Sequence, residues 1–188
     1  MYRNLGELQF EDVTDAVGLG QNNQRFSFAG SWADFDEDGD PDLYVSNDFG
    51  RNCLYRNDQG KFTDVAASAG VEDISAGMGV SWGDYNGDGH LDLYVSNMFS
   101  SAGQRIAYQR SFKSSTSTET RALFQRHARG NSLFRNRGDG TFEDVAIASG
   151  TWMGRWSWGA GFVDLDNDGD RDLFVPNGFI TNESTKDL

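Results

Sequence analysis

The chain has 188 residues, of which 37% are apolar and 13% aromatic, and it carries a formal net charge of −13. This apolar content is sufficient for a packed core and excludes wholesale disorder. The negative charge argues against nucleic acid or an anionic membrane as the main partner, because both attract basic surfaces. It is typical of a protein whose carboxylates are neutralised by bound cations.

Cysteine content and hydropathy argue against a disulfide-rich protein and against a membrane-spanning protein. Cys53 is the single cysteine, so an intramolecular disulfide framework is excluded. The chain contains no run of about 18 apolar residues, so we expect no membrane insertion. Its first ten residues lack the apolar segment of a signal peptide. We therefore expect that secretion uses a segment absent from this chain, or that the chain does not begin where its gene begins.

Three similar blocks follow one another along the chain and define the predicted units. Each block contains an F-x-D-V motif, a short strand, an aspartate-rich loop and a second strand, and the blocks span residues 10–47, 62–97 and 142–177. This internal repetition favours a repeat architecture. We interpret residues 1–25 as the end of a preceding unit, 26–70 as one unit, 71–150 as a second unit with an insertion at 100–130, and 151–188 as an incomplete unit.

Each complete unit is predicted to contain four short antiparallel strands. The first strand alternates large residues with the small residues Ala29, Ser31 and Ala33, so one of its faces is nearly bare and allows close approach of another backbone. The second strand reads D-L-Y-V-S-N, and glycine-containing turns join the third strand to the fourth. Four strands in about 50 residues predict an all-β fold built from propeller blades. A β-sandwich with accidental internal similarity is the alternative.

The most specific pattern is an aspartate-rich loop, D-x-[DN]-x-D-G-x-x-D, that occurs three times. Oxygen-bearing side chains at positions 1, 3, 5 and 9 of a tight loop converge on one centre, and the glycine at position 6 permits the bend. Position 7 varies chemically, as expected for a ligand that uses its backbone carbonyl. The candidate metal ligands are Asp34, Asp36, Asp38, Asp40 and Asp42; Asp84, Asn86, Asp88, His90 and Asp92; and Asp164, Asp166, Asp168, Asp170 and Asp172.

The ligand chemistry predicts three calcium sites. About six hard oxygen atoms in a flexible cage favour Ca²⁺ over Mg²⁺, which tends to keep its own waters. An EF-hand is excluded because loop position 12, where it requires a glutamate, is Val45, Val95 and Val175. A solvated acidic turn is the alternative for any single loop, although threefold repetition argues against it. We predict that the second loop, in which Asn86 replaces a carboxylate, binds calcium most weakly.

The loop pattern resembles the FG-GAP/VCBS repeat, which is familiar from the propeller of integrin α-subunits. The segments at 42–47, 131–146 and 177–182 are more similar to the branch found with ASPIC/UnbV domains and related to cartilage acidic protein. The resemblance implies a seven-bladed ring, calcium in the loops, a secreted or surface-exposed location, and binding or adhesion rather than catalysis. Since only three loops are present, we interpret the chain as about three blades, either a segment of a larger protein or a chain completed by other copies of itself.

Residues 100–130 depart from the repeat in both pattern and charge. They contain one acidic residue, Glu119, and six cationic residues: Arg105, Arg110, Lys113, Arg121, Arg126 and Arg129. This segment therefore carries a charge of +5, while the remainder of the chain carries −18. One interpretation is a basic arm that recruits an acidic partner, such as a sulfated or uronic glycan or an adjacent blade of another chain. The other is a surface excursion that folds back on the acidic face of its own chain.

We expect no catalytic activity. His90 and His127 have no partners that spacing alone identifies, and no catalytic motif is present. The tryptophan-rich segment 151–159 predicts blade core or an aromatic platform for a sugar. The expected function is that of an extracellular or cell-surface calcium-binding module for binding, adhesion or assembly, with a protein or glycan ligand or other copies of itself as partner. The alternatives are a non-catalytic propeller domain of a carbohydrate-active enzyme and a structural subunit of a surface polymer.

Overall fold

The computed structural model describes residues 1–178, so the last part of the predicted third unit, residues 179–188, lies outside the described residues. The chain begins with a two-stranded hairpin of β1 (Tyr2–Gly6) and β2 (Gln9–Asp12), followed by the short helix α1 (Thr14–Val17). Arg3 and Glu11 face each other across this hairpin and form an ion pair of 2.6 Å. Arg135 and Glu143 form the same pair between the third and fourth strands of a later sheet. The hairpin is thus equivalent to the last two strands of a unit.

Two complete four-stranded antiparallel sheets follow, which confirms the predicted all-β fold. The first has the strand order β3 (Ser27–Ala33), β4 (Asp42–Asn47), β5 (Cys53–Asp58) and β6 (Lys61–Asp64). The second has the order β7 (Gly77–Gly83), β8 (Asp92–Asn97), β9 (Ser132–Asn136) and β10 (Phe142–Asp144). A final pair, β11 (Gly161–Val163) and β12 (Asp172–Phe174), is antiparallel as well. Each sheet has the meander order of a propeller blade.

The first strands of successive sheets lie side by side, with β7 packed against β3 and β11. Glycine makes this close approach possible, because a Cβ atom at Gly79 would lie 2.8 Å from the Cα atom of Gly159, and one at Gly83 would lie 2.6 Å from the ring of Phe162. Both distances are shorter than van der Waals contact. The bare face predicted from the alternation of small and large residues is therefore where neighbouring sheets meet.

The core lies between consecutive sheets and includes a repeated tyrosine contact. The fully buried Tyr44 of β4 donates a hydrogen bond from its hydroxyl group to the carbonyl of Val71, at the start of the next unit, over 2.9 Å. Tyr94 of β8 does the same to Thr151 over 2.8 Å. A buried asparagine amide from the same unit, Asn52 in one case, donates to each tyrosine oxygen. Each unit is thus tied to its successor by a satisfied buried polar group.

The structure contains helices that the sequence pattern did not predict. The short helix α2 (Ala66–Ala69) follows the fourth strand, at the place where α1 follows β2. The insertion forms two longer helices, α3 (Ser101–Ala107) and α4 (Thr118–Arg129), which pack against each other. The side chains of Ser100 and Ser117 accept hydrogen bonds from backbone N–H groups in the first turn of α3 and α4, respectively. No helix among residues 1–178 is long and apolar enough to cross a membrane.

Candidate metal centres in the aspartate loops

Each aspartate loop connects the first strand of a sheet to the second strand. The first carboxylate of each loop accepts backbone hydrogen bonds from inside the turn: Asp34 accepts from the N–H groups of Asp38 and Gly39 over 3.1 and 2.9 Å. The glycine at position 6 has a φ of 92–96° in all three loops, a left-handed conformation that favours glycine over other residues. The turn is therefore determined by the loop's own residues.

The last carboxylate of the loop lies in the interior of the sheet. Asp42 is completely buried and accepts backbone hydrogen bonds from Phe35 at 3.1 Å and from Asn57, in β5, at 2.8 Å. Burial raises the pKa of Asp42 to about 6, although these two hydrogen bonds act in the opposite direction. Asp92 occupies the same position in the second loop, and burial raises its pKa to about 6 as well. These carboxylates join the loop to the third strand.

Three carboxylates come together in two of the loops. In the first loop, Asp34, Asp36 and Asp42 each place a carboxylate oxygen within 4.8 Å of the others. In the third loop, Asp164, Asp166 and Asp172 do the same. These are positions 1, 3 and 9 of the loop pattern. Such a group of oxygens is the donor set that hard cations such as Ca²⁺ prefer.

Each of these two clusters contains a buried oxygen that lacks a hydrogen-bond donor. Among the described residues, Oδ1 of Asp36 and Oδ1 of Asp164 are inaccessible to solvent and accept no hydrogen bond. Burial, followed by the neighbouring charges of Asp38 and Asp34, raises the pKa of Asp36. A buried polar atom without a partner is costly, and a cation bound between the carboxylates would satisfy it. The residues present in the two clusters therefore fit a bound cation.

Positions 5 and 7 are oriented differently from the three clustered positions. The position 5 carboxylates, Asp38, Asp88 and Asp168, accept hydrogen bonds from the backbone N–H two residues later, at 2.8–3.0 Å. The position 7 residues are the donors of these bonds: Asp40, His90 and Asp170. Oδ2 of Asp40 also accepts from the backbone N–H of Gln59 in the β5–β6 turn, at 2.8 Å. These side chains stabilise the turn itself.

The second loop differs from the other two at position 3. The amide nitrogen of Asn86 donates a hydrogen bond of 2.8 Å to Oδ2 of Asp88, so an amide and not a carboxylate occupies this position. His90 of this loop forms a contact of 2.6 Å, from Nδ1 to Oε1 of Glu37, with the first loop. That hydrogen bond raises the pKa of His90. The first and second loops are thus linked side by side at the same end of the molecule.

Sequence reasoning missed an asparagine that supports each complete loop from the third strand. The side-chain amide of Asn57 donates a hydrogen bond of 3.0 Å to the carbonyl of Pro41, and its backbone N–H donates one to the carboxylate of Asp42. Asn136 makes the same two contacts in the second sheet, with Leu91 and Asp92. The signal was present in the repeat, since both asparagines follow an arginine in the segments L-Y-R-N and L-F-R-N. Their role depends on strand pairing, which spacing along the sequence does not show.

Comparison with known proteins agrees with this repeated architecture. A family model described as an FG-GAP-like repeat matches residues 34–95 and 122–175, which together make up more than half of the chain. The matched ranges contain all three aspartate loops. Most of the helical insertion lies between them, because residues 96–121 are not matched. A search of curated proteins found no match.

Proposed function

The chain belongs to the FG-GAP-like repeat family, and from this premise we propose that it is a calcium-binding propeller module that acts by binding or assembly and not by catalysis. The observation that carries the proposal is the buried, unpartnered carboxylate oxygen in each of two aspartate clusters, at Asp36 and Asp164. Carboxylates that lie this close together repel one another unless a cation neutralises them. A cation bound at each cluster would give the unpartnered oxygens of Asp36 and Asp164 a partner.

The residues that would hold the ions are the clustered carboxylates at positions 1, 3 and 9. When bound, Ca²⁺ supplies positive charge and coordination to oxygen atoms that are otherwise uncompensated. Asp34 follows the first strand and Asp42 begins the second, so an ion bound by both carboxylates would hold these two strands together. Asp42 also accepts a hydrogen bond from the third strand. Calcium binding at the loop is therefore coupled to the stability of the whole sheet.

The setting that we propose is extracellular or at the cell surface, with a protein or glycan as ligand. Extracellular modules bind calcium with dissociation constants of about 10⁻⁴–10⁻³ M, which suits clusters of three carboxylates at partly exposed loops. The single cysteine is consistent with sheets held by ions and hydrogen bonds and not by disulfides. The D-L-Y-V-S-N strand and the N-S-L-F-R-N-R-G-D-G-T-F-E-D-V-A hairpin further support placing the chain in the branch associated with ASPIC/UnbV domains.

A thermal unfolding experiment with and without calcium tests the metal proposal. Calcium at about 10 mM, above the ~10⁻⁴–10⁻³ M dissociation constants of extracellular modules, is expected to raise the melting temperature relative to chelated protein. Asp36→Asn removes one carboxylate of the first cluster and is expected to reduce this shift. Glu7→Gln removes one exposed carboxylate outside the loops and is the matched control. A melting temperature that is the same in calcium and in chelator would refute the proposal.

A further inference from the structure

The helical insertion lies at the end of the sheet opposite the aspartate loops. The aspartate loop joins β7 to β8, whereas the insertion joins β8 to β9, and consecutive connections of an antiparallel meander alternate between its two ends. Most of the insertion also lies outside the ranges matched by the repeat family. The insertion is therefore an addition to the repeat, on the side of the molecule away from the candidate metal centres.

Two of its arginines fix the base of the insertion to the sheet. Nη2 of Arg126 lies 3.2 Å from the buried carboxylate of Asp73, and Nη2 of Arg129 lies 2.6 Å from Asp144. Nδ1 of His127 lies 2.9 Å from the carbonyl oxygen of Ile74. These contacts support the second interpretation of the sequence for this half of α4, which folds back on acidic groups of its own chain. The C-terminal half of α4 is consequently fixed to the second sheet and its neighbouring loop by these contacts.

The far part of the insertion presents cationic and apolar side chains together. Arg105, Arg110 and Lys113 are exposed, and none of them forms an ion pair with a carboxylate of residues 1–178. Ile106 and Tyr108 lie among them and are 47% and 58% exposed. We call this set the tip. Arginine and aromatic residues are enriched in protein–protein interfaces, and tyrosine and arginine are common among the residues that dominate binding energy.

The aspartate-loop end of the same protein carries the complementary charge. Fourteen of the 29 Asp and Glu residues lie in the three loops, 34–42, 84–92 and 164–172. Three bound Ca²⁺ ions would offset only part of this charge. Opposite charges on two surfaces of one molecule favour a contact between one end of a copy and the other end of the next. The exposed Ile106 and Tyr108 favour a protein surface as the partner over a purely ionic glycan.

We propose that the tip docks on the acidic aspartate-loop end of a second copy of this chain, in a head-to-tail contact. This inference deepens the proposed assembly role and rests on it. Guanidinium groups of Arg105 and Arg110 would bind exposed carboxylates in paired hydrogen bonds, which ammonium groups form less well. Because all of these groups are exposed, salt at high concentration would screen the contact.

Sedimentation velocity in saturating calcium tests the contact. At about 20 mM NaCl with about 10 mM CaCl2, where the screening length is about 14 Å, the protein is expected to associate with rising concentration. At about 500 mM NaCl, where the screening length is about 4 Å, it is expected to be monomeric. The triple variant Arg105→Gln, Arg110→Gln, Lys113→Gln is expected to associate more than about tenfold more weakly at low salt. The matched control changes three arginines of the strands, of which Arg3 and Arg135 are exposed and Arg56 is partly exposed: Arg3→Gln, Arg56→Gln and Arg135→Gln. It alters net charge equally and is expected to retain association.

Several results would overturn the contact. These are a monomeric protein at low salt, a triple variant that associates as well as the unchanged protein, and a control that loses association equally. A monomer that binds a sulfated oligosaccharide through the tip would assign this surface to a glycan instead. The calcium-induced shift in melting temperature is measured in the same samples. If that shift is present while association is absent, the docking inference fails and the proposed calcium function stands.

Discussion

Substituting Arg126 by methionine is expected to destabilise the second sheet strongly. The carboxylate of Asp73 is completely buried, and Arg126 is the cation within 4 Å that compensates its charge among the described residues. Burial by itself would raise the pKa of Asp73, but Arg126 and hydrogen bonds from Ser132 and Asn97 outweigh it and hold the pKa low. Methionine keeps most of the side-chain volume and removes the charge. The substitution therefore leaves a buried carboxylate without its counter-ion.

The contacts around Asp73 determine how much unfolding free energy Arg126→Met is expected to lose. Removing one partner of a buried ion pair costs about 3–5 kcal/mol. Ser132, Asn97 and the backbone N–H of Ser75 still donate hydrogen bonds to Asp73, and the side chain of Arg126 is 20% exposed, so the pair is only partly desolvated on the arginine side. These features place the loss near the lower limit, about 3 kcal/mol. Combining Arg126→Met with Asp73→Asn removes the uncompensated charge and should recover about 2 kcal/mol of coupling.

Urea unfolding of the four proteins of this double-mutant cycle measures the coupling. Arg135→Met is the matched control, because Arg135 pairs with Glu143 at the surface, where both side chains are more than 40% exposed. A surface pair contributes about 0–1 kcal/mol. If Arg126→Met costs no more than Arg135→Met, or if the double variant is as unstable as Arg126→Met alone, then Arg126 does not compensate Asp73 as the structure implies.

Three further predictions concern pH, packing and metal affinity. The pKa of Asp73 is lower in the folded protein than its value of about 4 in the unfolded chain, so the ionised carboxylate stabilises the folded protein above about pH 4. This contribution is lost as the pH falls through the pKa of the folded state. In Arg126→Met, burial raises the same pKa, so protonation stabilises the variant, and the difference in unfolding free energy between the two proteins should shrink from pH 7 to pH 4. Gly83→Ala should cost about 1–3 kcal/mol in urea unfolding, since its Cβ would lie 2.6 Å from the Phe162 ring; an unchanged midpoint would contradict this packing. Calorimetry should find the second loop, with Asn86 at position 3, to be the weakest calcium site, and the reverse order would contradict the ligand argument.

The amino-acid sequence was sufficient to predict the strands and the aspartate loops. Alternation of small and large residues, turn glycines and the threefold repeat are local features, and each of them survives in the structure at its predicted place. The convergence of Asp34 and Asp36 follows from their spacing in a tight loop, and the left-handed φ of Gly39 follows from the required bend. Such features are encoded within a few residues, so a sequence pattern reveals them.

The helices of the insertion were missed although part of their signal is local. Ser117 precedes α4 as an N-cap, and Arg126, His127 and Arg129 lie in its last turn, where cations are favourable. The basic composition drew attention to charge and away from these boundaries. Whether the charges reach outward or fold back could not be decided from composition, because the answer depends on which carboxylates lie nearby in space.

The sequence by itself therefore determined the repeat, the four-stranded units and the residues of each loop. The tertiary structure decided which of those residues act together. Asp73 meets Arg126, which lies 53 positions later in the sequence, Asn57 supports Asp42 from a neighbouring strand, and the hydroxyl of Tyr44 reaches the next unit. Each of these contacts joins elements that are distant along the chain. Their energies depend on burial and on the geometry of packed sheets, which no local pattern specifies.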